Sequence, residues 1–196
     1  MIKINLKKLE KNLGFKLKRN TICLGVDTAT TTGLALISTS DKEIIIETNI
    51  FKLPSIPKKI ADQLVKAEKY EQAMHSALNL IRDYNVYKEK LRTNIKTILV
   101  LEQSFLSINP ETFGYLRTLQ GIFYSELYDY FNEIKIYLPT VARKLVGFRS
   151  NLPRGTKTEQ KKKEICRWVS NIIEENITDH NIADAIILSL GGLKCE

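Results

Sequence analysis

Two apolar runs of this chain each end at a single carboxylate. The run "ICLGV" over residues 22–26 leads into Asp27, and the run "ILVL" over residues 98–101 leads into Glu102. The second run shows no alternation of apolar and polar side chains, which is typical of a strand buried on both faces of a sheet. An acid at the end of an apolar segment is costly unless it is paired or metal-bound. These two positions therefore restrict both the fold and the chemistry of the chain.

The elements predicted around these runs alternate between strand and helix. In chain order they are strands over 22–27, 33–39 and 43–50, a helix over 60–83, a strand over 97–102, a helix over 110–131, a strand over 134–138, a helix from about Pro139, and helices over 157–174 and 180–190 after a loop at 148–156. This is the order of a ribonuclease H-like fold, although βαβ order alone fits several mixed sheets. We predict an α/β fold with a mixed five-stranded sheet, a three-strand antiparallel meander plus two parallel strands, flanked by helices.

A third acid, Asp184, interrupts the apolar segment "NIADAIILSL" over residues 181–190. Taken singly, each of the three acids has an ordinary explanation as a solvated strand end or helix surface. Asp27 and Glu102 end strands whose side chains project into a shared crevice. If Asp184 converges with them, the three supply hard oxygen ligands, and Mg²⁺ or Mn²⁺ is the fitting ion.

Length and composition favour one globular domain in a soluble, non-secreted and cytoplasmic protein. The chain has 196 residues, of which 43% are hydrophobic, and it contains no run of about 18 or more uncharged apolar residues. Its three cysteines lack a CxxC pairing, which argues against a disulfide framework and a zinc site. We divide the chain into a basic N-terminal extension, residues 1–20, and a ribonuclease H-like domain, residues 21–196.

The net charge of +8 is concentrated in two segments. Residues 1–19 hold seven basic side chains against Glu10 alone, and residues 141–168 hold nine against two acids. Such a distribution points to a polyanionic partner, most often nucleic acid, or to a solvated lysine face on two helices. The first segment is interpreted either as an amphipathic helix or as an arm that orders on DNA. In the helix interpretation the packing side chains are Ile4, Leu6, Leu9, Leu13 and Phe15.

Five segments resemble the RuvC-type Holliday junction resolvases in order and relative position. They are "LGVDTATTTGLALI", "VLEQSF", "LPTVARKLVG", the Lys-rich stretch before "EICRWV", and "NIADAIILSL". The resemblance covers residues 22 to about 192 and is strongest over 99–147 and 181–190. It implies an endodeoxyribonuclease that acts on branched DNA as a homodimer with two Mg²⁺ ions in each active site, for which Mn²⁺ substitutes.

The resemblance also implies roles for single residues. It makes Asp27, Glu102 and Asp184 metal-binding carboxylates, and it places Phe105 where the family has a base-stacking aromatic. Basic residues would bind DNA and the negative charge that develops during cleavage, with Lys161 or Lys162 the best match for a catalytic lysine. The DNA-binding set, in full, is Phe105, Arg143, Lys144, Lys157, Lys161 and Lys162.

The fourth metal ligand departs from the family pattern. The family commonly places a second Asp, sometimes a His, three residues before the last Asp, and this chain has Asn181 there. Helical spacing lets Asn181 and His180 share a face with Asp184, whereas Asp179 points elsewhere and is predicted to cap the helix. Asn181 is the preferred ligand, His180 the alternative.

The residues suit hydrolysis of a phosphodiester by two bridging cations, which leaves a 5′ phosphate. The threonine-rich turn after Asp27 and the small Gly33 are interpreted as room for a phosphate backbone. Two other functions remain open at this point. One is a junction-binding protein that has lost catalysis, and the other is an actin-like or sugar-kinase-type ATP-binding domain, for which the chain lacks space for a second lobe.

Overall fold

The structure is a computed structural model that describes residues 1–29, 31–52, 89, 95–104, 110–153 and 155–195. Its strands are β1 (Ile2–Asn5), β2 (Thr21–Asp27), β3 (Thr31–Thr39), β4 (Glu43–Lys52), β5 (Lys96–Glu102) and β6 (Glu133–Tyr137). Its α-helices are α1 (Leu6–Leu13), α2 (Pro110–Leu127), α3 (Pro139–Leu145), α4 (Thr158–Ile173) and α5 (His180–Leu193), and a 3₁₀ turn covers Tyr128–Tyr130. The helix predicted over 60–83 lies outside the described residues. Among the described helices, none combines the length and apolar character needed to span a bilayer.

The sheet is mixed and has the strand order β1-β4-β3-β2-β5-β6. Strands β2, β3 and β4 form the expected antiparallel meander, and β5 and β6 continue it in parallel with β2. This confirms the α/β architecture but corrects the strand count, because β1 adds a sixth strand at the edge. Ile2 and Ile4 of β1 pair with Ile46 and Ile44 of β4, and this apolar pairing draws the N-terminus into the sheet.

Strands β2 and β5 are neighbouring interior strands of the sheet and are buried on both faces. Along β2, Ile22, Leu24 and Val26 pack in the core on the α2 side, whereas Cys23 packs in the core on the α5 side. Helix α2 covers one face of the sheet, and α1, α3, α4 and α5 cover the other. Covering both faces explains the absence of polar alternation in these strands.

Two glycines let helix α5 lie directly on the sheet. A Cβ at Gly25 would overlap the Ala185 carbonyl oxygen, and a Cβ at Gly33 would overlap the backbone of Asn181. The interpretation that Gly33 leaves room for a phosphate backbone is therefore wrong, since α5 fills that space. These close contacts set the depth at which the first turns of α5 approach the end of β2.

Residues 1–20 form part of this structure as a strand and a helix. Leu6, Leu9 and Leu13 of α1 are buried in the core, as the amphipathic-helix interpretation requires. Glu10 is also buried, and its carboxylate accepts hydrogen bonds from the Leu17 backbone N–H at 2.8 Å and from Arg19 at 2.9 Å. These bonds tie the chain that follows α1 back onto the helix, which fixes the entry into β2.

Candidate active site

A crevice of about 620 Å³ opens at the C-terminal ends of β2 and β5. It lies between these strand ends and the first turns of α3 and α5, which is where side chains of an open α/β sheet converge. The residues that line it are Asp27, Thr28, Ala29, Glu102, Leu116, Leu138, Pro139, Thr140, Arg143, His180, Asn181 and Asp184. The structure thus brings all three acids singled out in the sequence to one cavity.

Asp27 and Glu102 are neighbours because β2 and β5 are parallel and in register, with Val26 opposite Leu101. The two carboxyl groups lie within hydrogen-bonding reach of each other. Burial, followed by the nearby Glu102 charge and the more distant Asp184 charge, raises the pKa of Asp27 well above its usual value. Burial also raises the pKa of Glu102, and its hydrogen bond with Asp27 offsets only part of that rise. The pair is a concentration of negative charge that favours a proton or a cation.

Asp184 lies on α5 and is held by Arg143 of α3. The Arg143 guanidinium donates from Nε to Oδ1 at 3.1 Å, and from one terminal nitrogen to Oδ1 at 2.9 Å and Oδ2 at 3.0 Å. Burial raises the pKa of Asp184, and the Arg143 charge partly opposes that rise. Sequence reasoning assigned Arg143 to DNA and missed this contact. The two residues are 41 positions apart, and no local spacing signals their pairing.

The start of α5 presents the candidates for a fourth ligand. Asp179 is the N-cap of the helix, as predicted, and its Oδ1 accepts from the backbone N–H groups of Asn181 at 2.8 Å and Ile182 at 3.3 Å. Asn181 and His180 both line the crevice beside Asp184. Asn181 is only 7% exposed, so its amide is confined to the crevice wall.

Of the basic residues singled out in the sequence, Arg143 lines the crevice itself. Lys162 on α4 is near enough for its charge to lower the pKa of Asp184, and it lines a second groove, of about 570 Å³, that shares His180 with the crevice. Lys144 on α3, and Lys157 and Lys161 around the start of α4, are exposed. Phe105 lies outside the described residues.

The donor chemistry of the crevice fits Mg²⁺ or Mn²⁺, since its carboxylates and one amide supply hard oxygen atoms. Burial and the neighbouring carboxylates raise the pKa values of Asp27 and Glu102, so a cation placed between them would be favoured. Their present arrangement is nevertheless incomplete for a metal centre. Within the described part of the chain, no three His, Cys, Asp or Glu side chains stand close enough to hold one ion together. Asp184 faces Arg143 instead, whose guanidinium binds both of its carboxylate oxygens.

Comparison with known proteins gives a structural likeness only. No protein-family profile matches the chain, and no curated protein matches it in sequence. Among solved structures, a Thermus thermophilus RuvC in complex with Holliday junction substrate superposes with a TM-score of 0.54 at 13% identity, over 87% of this chain and 91% of that one. A second structure of Thermus thermophilus RuvC superposes with a TM-score of 0.54 at 14% identity, over 87% of this chain and 92% of that one. The yeast mitochondrial Holliday junction resolvase Ydc2 superposes with a TM-score of 0.53 at 14% identity, over 94% of this chain and 82% of that one. At these identities the likeness confirms the expected RuvC-type, ribonuclease H-like fold.

Proposed function

We propose that this chain is a metal-dependent, structure-specific DNA endonuclease that resolves four-way junctions by paired strand cuts. The observation that carries the proposal is the position of Asp27, Glu102 and Asp184, which line one crevice at the strand ends of a RuvC-type fold. A neighbour with this fold, Thermus thermophilus RuvC, is in complex with a Holliday junction substrate, which supports branched DNA as the substrate class. Such an enzyme acts in DNA recombination and repair, here in the cytoplasm and as a homodimer.

In this proposal the chain's own residues divide into metal ligands and DNA contacts. Asp27, Glu102 and Asp184, with the Asn181 amide, would hold two Mg²⁺ ions, for which Mn²⁺ would substitute. Such ions would supply activation of the attacking water and stabilisation of the leaving 3′ oxygen, which would leave a 5′ phosphate on the product. Lys162, whose charge already reaches Asp184, supplies positive charge beside the scissile phosphate.

The remaining basic residues form the proposed DNA surface around the crevice. Lys144, Lys157 and Lys161 are exposed and face solvent, where they are free to contact phosphates. If a metal ion bound Asp184, the Arg143 guanidinium would become available to join them. Phe105 follows Glu102 by three residues and is the proposed stacking partner for an unpaired base at the crossover, an interaction worth about 1–3 kcal/mol.

The test is a cleavage assay on a labelled synthetic four-way junction, with linear duplex and flap DNA of matched sequence as controls. We expect symmetric incisions near the crossover in Mg²⁺ or Mn²⁺, products with 5′ phosphates, and no cleavage in EDTA. Equal cutting of the linear duplex would show a general nuclease and contradict the proposal.

A second candidate is a junction-binding protein with weakened catalysis. Two observations favour it: Asn181 stands where the resembled family commonly has an Asp and sometimes a His, and the Arg143 guanidinium binds the Asp184 carboxylate. This candidate predicts tight, junction-selective binding in EDTA and in Mg²⁺ alike, with no incision in either. An Asn181→Asp variant distinguishes the two functions. If the missing negative charge at this ligand position limits catalysis, the variant should create cleavage or strongly increase it. Otherwise the variant should cut no better than the wild type.

A further inference from the structure

A second cavity, the groove of about 570 Å³ along α4, adjoins the crevice. It lies between α4 and the segment that leads from α4 into α5, and its volume is within the range of about 300–1,000 Å³ that is typical of ligand sites. His180 lines both cavities, so the two meet at that residue. Two acids of the connecting segment, Glu174 and Glu175, do not line the groove. We call this cavity the α4 groove.

The α4 groove carries an excess of positive charge that the fold leaves unpaired. Its charged lining residues are the cations Lys162, Lys163 and Arg167 and the single acid Glu159. In the described part of the chain, none of the three cations forms an ion pair with a carboxylate. Lys163 and Arg167 are exposed and stand one turn apart, a spacing at which like charges destabilise a helix. These cations therefore suit an external anion and do not serve the stability of α4.

The wall of the groove that faces α4 is held in place by hydrogen bonds to α4 itself. The Ser170 hydroxyl accepts a hydrogen bond from the Ile177 backbone N–H at 2.9 Å. The Cys166 thiol donates to the Thr178 carbonyl oxygen at 3.6 Å. The groove is therefore preformed, with one wall of cations and one wall of fixed backbone.

Lys162 links the charge of the groove to the acids of the crevice. Burial raises the pKa of Asp184, and the charges that oppose this rise include those of Arg143 and Lys162. Lys162 thus acts on a crevice carboxylate while it lines the groove. Consecutive phosphates of one DNA strand rise by about 3.4 Å along a duplex. A strand with one phosphate in the crevice therefore reaches the adjoining groove within one or two nucleotides.

We propose that the α4 groove binds a phosphate of the cleaved DNA strand one or two nucleotides from the scissile phosphate, with Lys163 and Arg167 as its contacts. The inference rests on the proposed function, since it requires a scissile phosphate in the crevice. It assigns to the groove the direction in which the strand leaves the crevice. Lys163 and Arg167 are binding residues in this arrangement, and the chemistry stays in the crevice.

The test combines charge removal on the protein with the removal of single charges from the DNA. Cleavage by the wild type in Mg²⁺ first locates the scissile phosphate. Junction binding is then measured in Ca²⁺ or EDTA across a range of salt concentrations for the wild type and for Lys163→Gln/Arg167→Gln. Each junction of the set carries one neutral methylphosphonate linkage. The linkage is placed in turn at each of the nearest four phosphates on either side of the scissile one, and at the corresponding positions of the paired strand.

The control is Lys7→Gln/Lys42→Gln, which removes the same charge far from the crevice. Lys42 lies in the exposed turn that joins β3 to β4, beside the start of β2, whereas the crevice lies at the end of β2. The Leu6 N–H donates to the Lys42 carbonyl oxygen at 2.9 Å, which places the exposed Lys7 at the same end of the sheet. A second control, Lys163→Arg/Arg167→Lys, keeps both charges in the groove.

We expect Lys163→Gln/Arg167→Gln to bind the fully charged junction at least about tenfold less tightly than the wild type. The slope of log affinity against log salt should fall by about 0.9, the value for one phosphate contact. This loss should disappear on junctions whose neutral linkage is one or two nucleotides from the scissile phosphate, and it should persist on the others. Both control variants should bind like the wild type.

A loss that persists on every junction, or that disappears only with a linkage in the paired strand, would overturn this inference while junction cleavage by the wild type remains intact. The absence of any loss would overturn it as well. If the wild type cuts no junction, the proposed function fails and this inference fails with it. The groove variant should melt at or above the temperature of the wild type, because it removes a repulsion within α4. If it melts lower, Arg167→Gln alone is used, and the same dependence on linkage position is expected.

Discussion

Asp27, Glu102 and Asp184 are acids whose charges are unfavourable for the fold without a cation, because burial raises the pKa of each. We expect Asp27→Asn, Glu102→Gln and Asp184→Asn each to abolish junction cleavage and to leave junction binding within a few-fold of wild type. The reason is that these substitutions remove metal ligands and no phosphate contact. Cleavage and binding are measured on the same labelled junction.

Stability provides the control for these variants. In EDTA, Asp27→Asn and Glu102→Gln should unfold at or above the temperature of the wild type, since each removes a buried charge without changing side-chain size. Asp41→Asn, in the exposed turn before β4, serves as the matched variant and should cut normally. Cleavage near the wild-type rate by any of the three crevice variants would exclude that residue from the site.

The Arg143 guanidinium pairs with the Asp184 carboxylate in the crevice, and we expect a metal ion to compete with Arg143 for that carboxylate. Arg143→Gln leaves a largely buried carboxylate unpaired, so we expect a loss of about 1–3 kcal/mol in the free energy of unfolding in EDTA. At about 2–4 °C per kcal/mol, this lowers the melting temperature by several degrees. Mg²⁺ should raise the melting temperature of the variant more than that of the wild type, because Asp184 is then free to bind the ion. An equal shift in both proteins would show that Arg143 and the metal do not share this carboxylate.

The helix α5 reaches the crevice only because the strands beneath it carry glycines. We expect Gly33→Ala to lower the free energy of unfolding by about 1–3 kcal/mol or more. The new methyl group would overlap the Asn181 backbone, which cannot rotate away as a side chain can. Cleavage should fall as well, because the shift moves Asp184 relative to Asp27. Gly121→Ala on α2 is the control: its methyl group meets open space, and the change should stabilise the helix by about 0.5–1 kcal/mol. Equal stability of the two variants in thermal unfolding would contradict the packing of α5 on β3.

The β1–α1 unit depends on the buried Glu10, which gives a pH-dependent prediction. Burial raises the pKa of Glu10, but the Leu17 N–H and the Arg19 guanidinium outweigh burial and hold its pKa below the usual value. Because the folded protein then favours the ionised form, the stabilisation is present above the unfolded pKa of about 4.3 and is lost as pH falls below it. We expect Glu10→Gln to lower the melting temperature by several degrees at pH 7, where a hydrogen bond to a charged group contributes about 1.5–3 kcal/mol. The difference from the wild type should shrink on acidification towards pH 3, and a difference independent of pH would assign the loss to packing.

Most elements could be predicted from the sequence because each carries its own pattern. The predicted strands 22–27 and 43–50 and the predicted helix 180–190 agree with β2, β4 and α5 to within three residues at each end. Strand β1 was missed because it has only four residues, and its two isoleucines identify it only once β4 lies beside it. The fit of Gly33 against α5 and the pairing of Arg143 with Asp184 depend likewise on distant parts of the chain. Such contacts depend on the tertiary arrangement, which no local spacing encodes.

At the scale of the whole molecule, the charges are separated in a way that suits a nucleic-acid nuclease. Asp27 is buried and Glu102 half-buried in the crevice, whereas Lys144 on α3 and Lys161 on α4 are exposed. In the proposed function, a basic surface would attract the DNA backbone and concentrate substrate near the crevice, and this effect would weaken as salt rises. The acidic crevice, with cations bound, would then select the one phosphate that enters it.

A four-way junction has two-fold symmetry, and its resolution requires two opposed cuts, so the proposed enzyme must act as a homodimer. We expect sedimentation equilibrium to give twice the 22.5 kDa mass of one chain, both in the free protein and per junction bound. On a supercoiled plasmid with an extruded cruciform, a dimer that cuts both strands within one binding event yields linear product, whereas a single active site yields nicked circles. Mixed dimers of wild-type and Asp27→Asn chains, isolated through two different affinity tags, should therefore convert the plasmid to nicked circles alone. If the mixed dimer gave linear product, or if a monomer linearised the plasmid, one crevice would be shown to make both cuts. The argument for a two-fold symmetric dimer would then be contradicted.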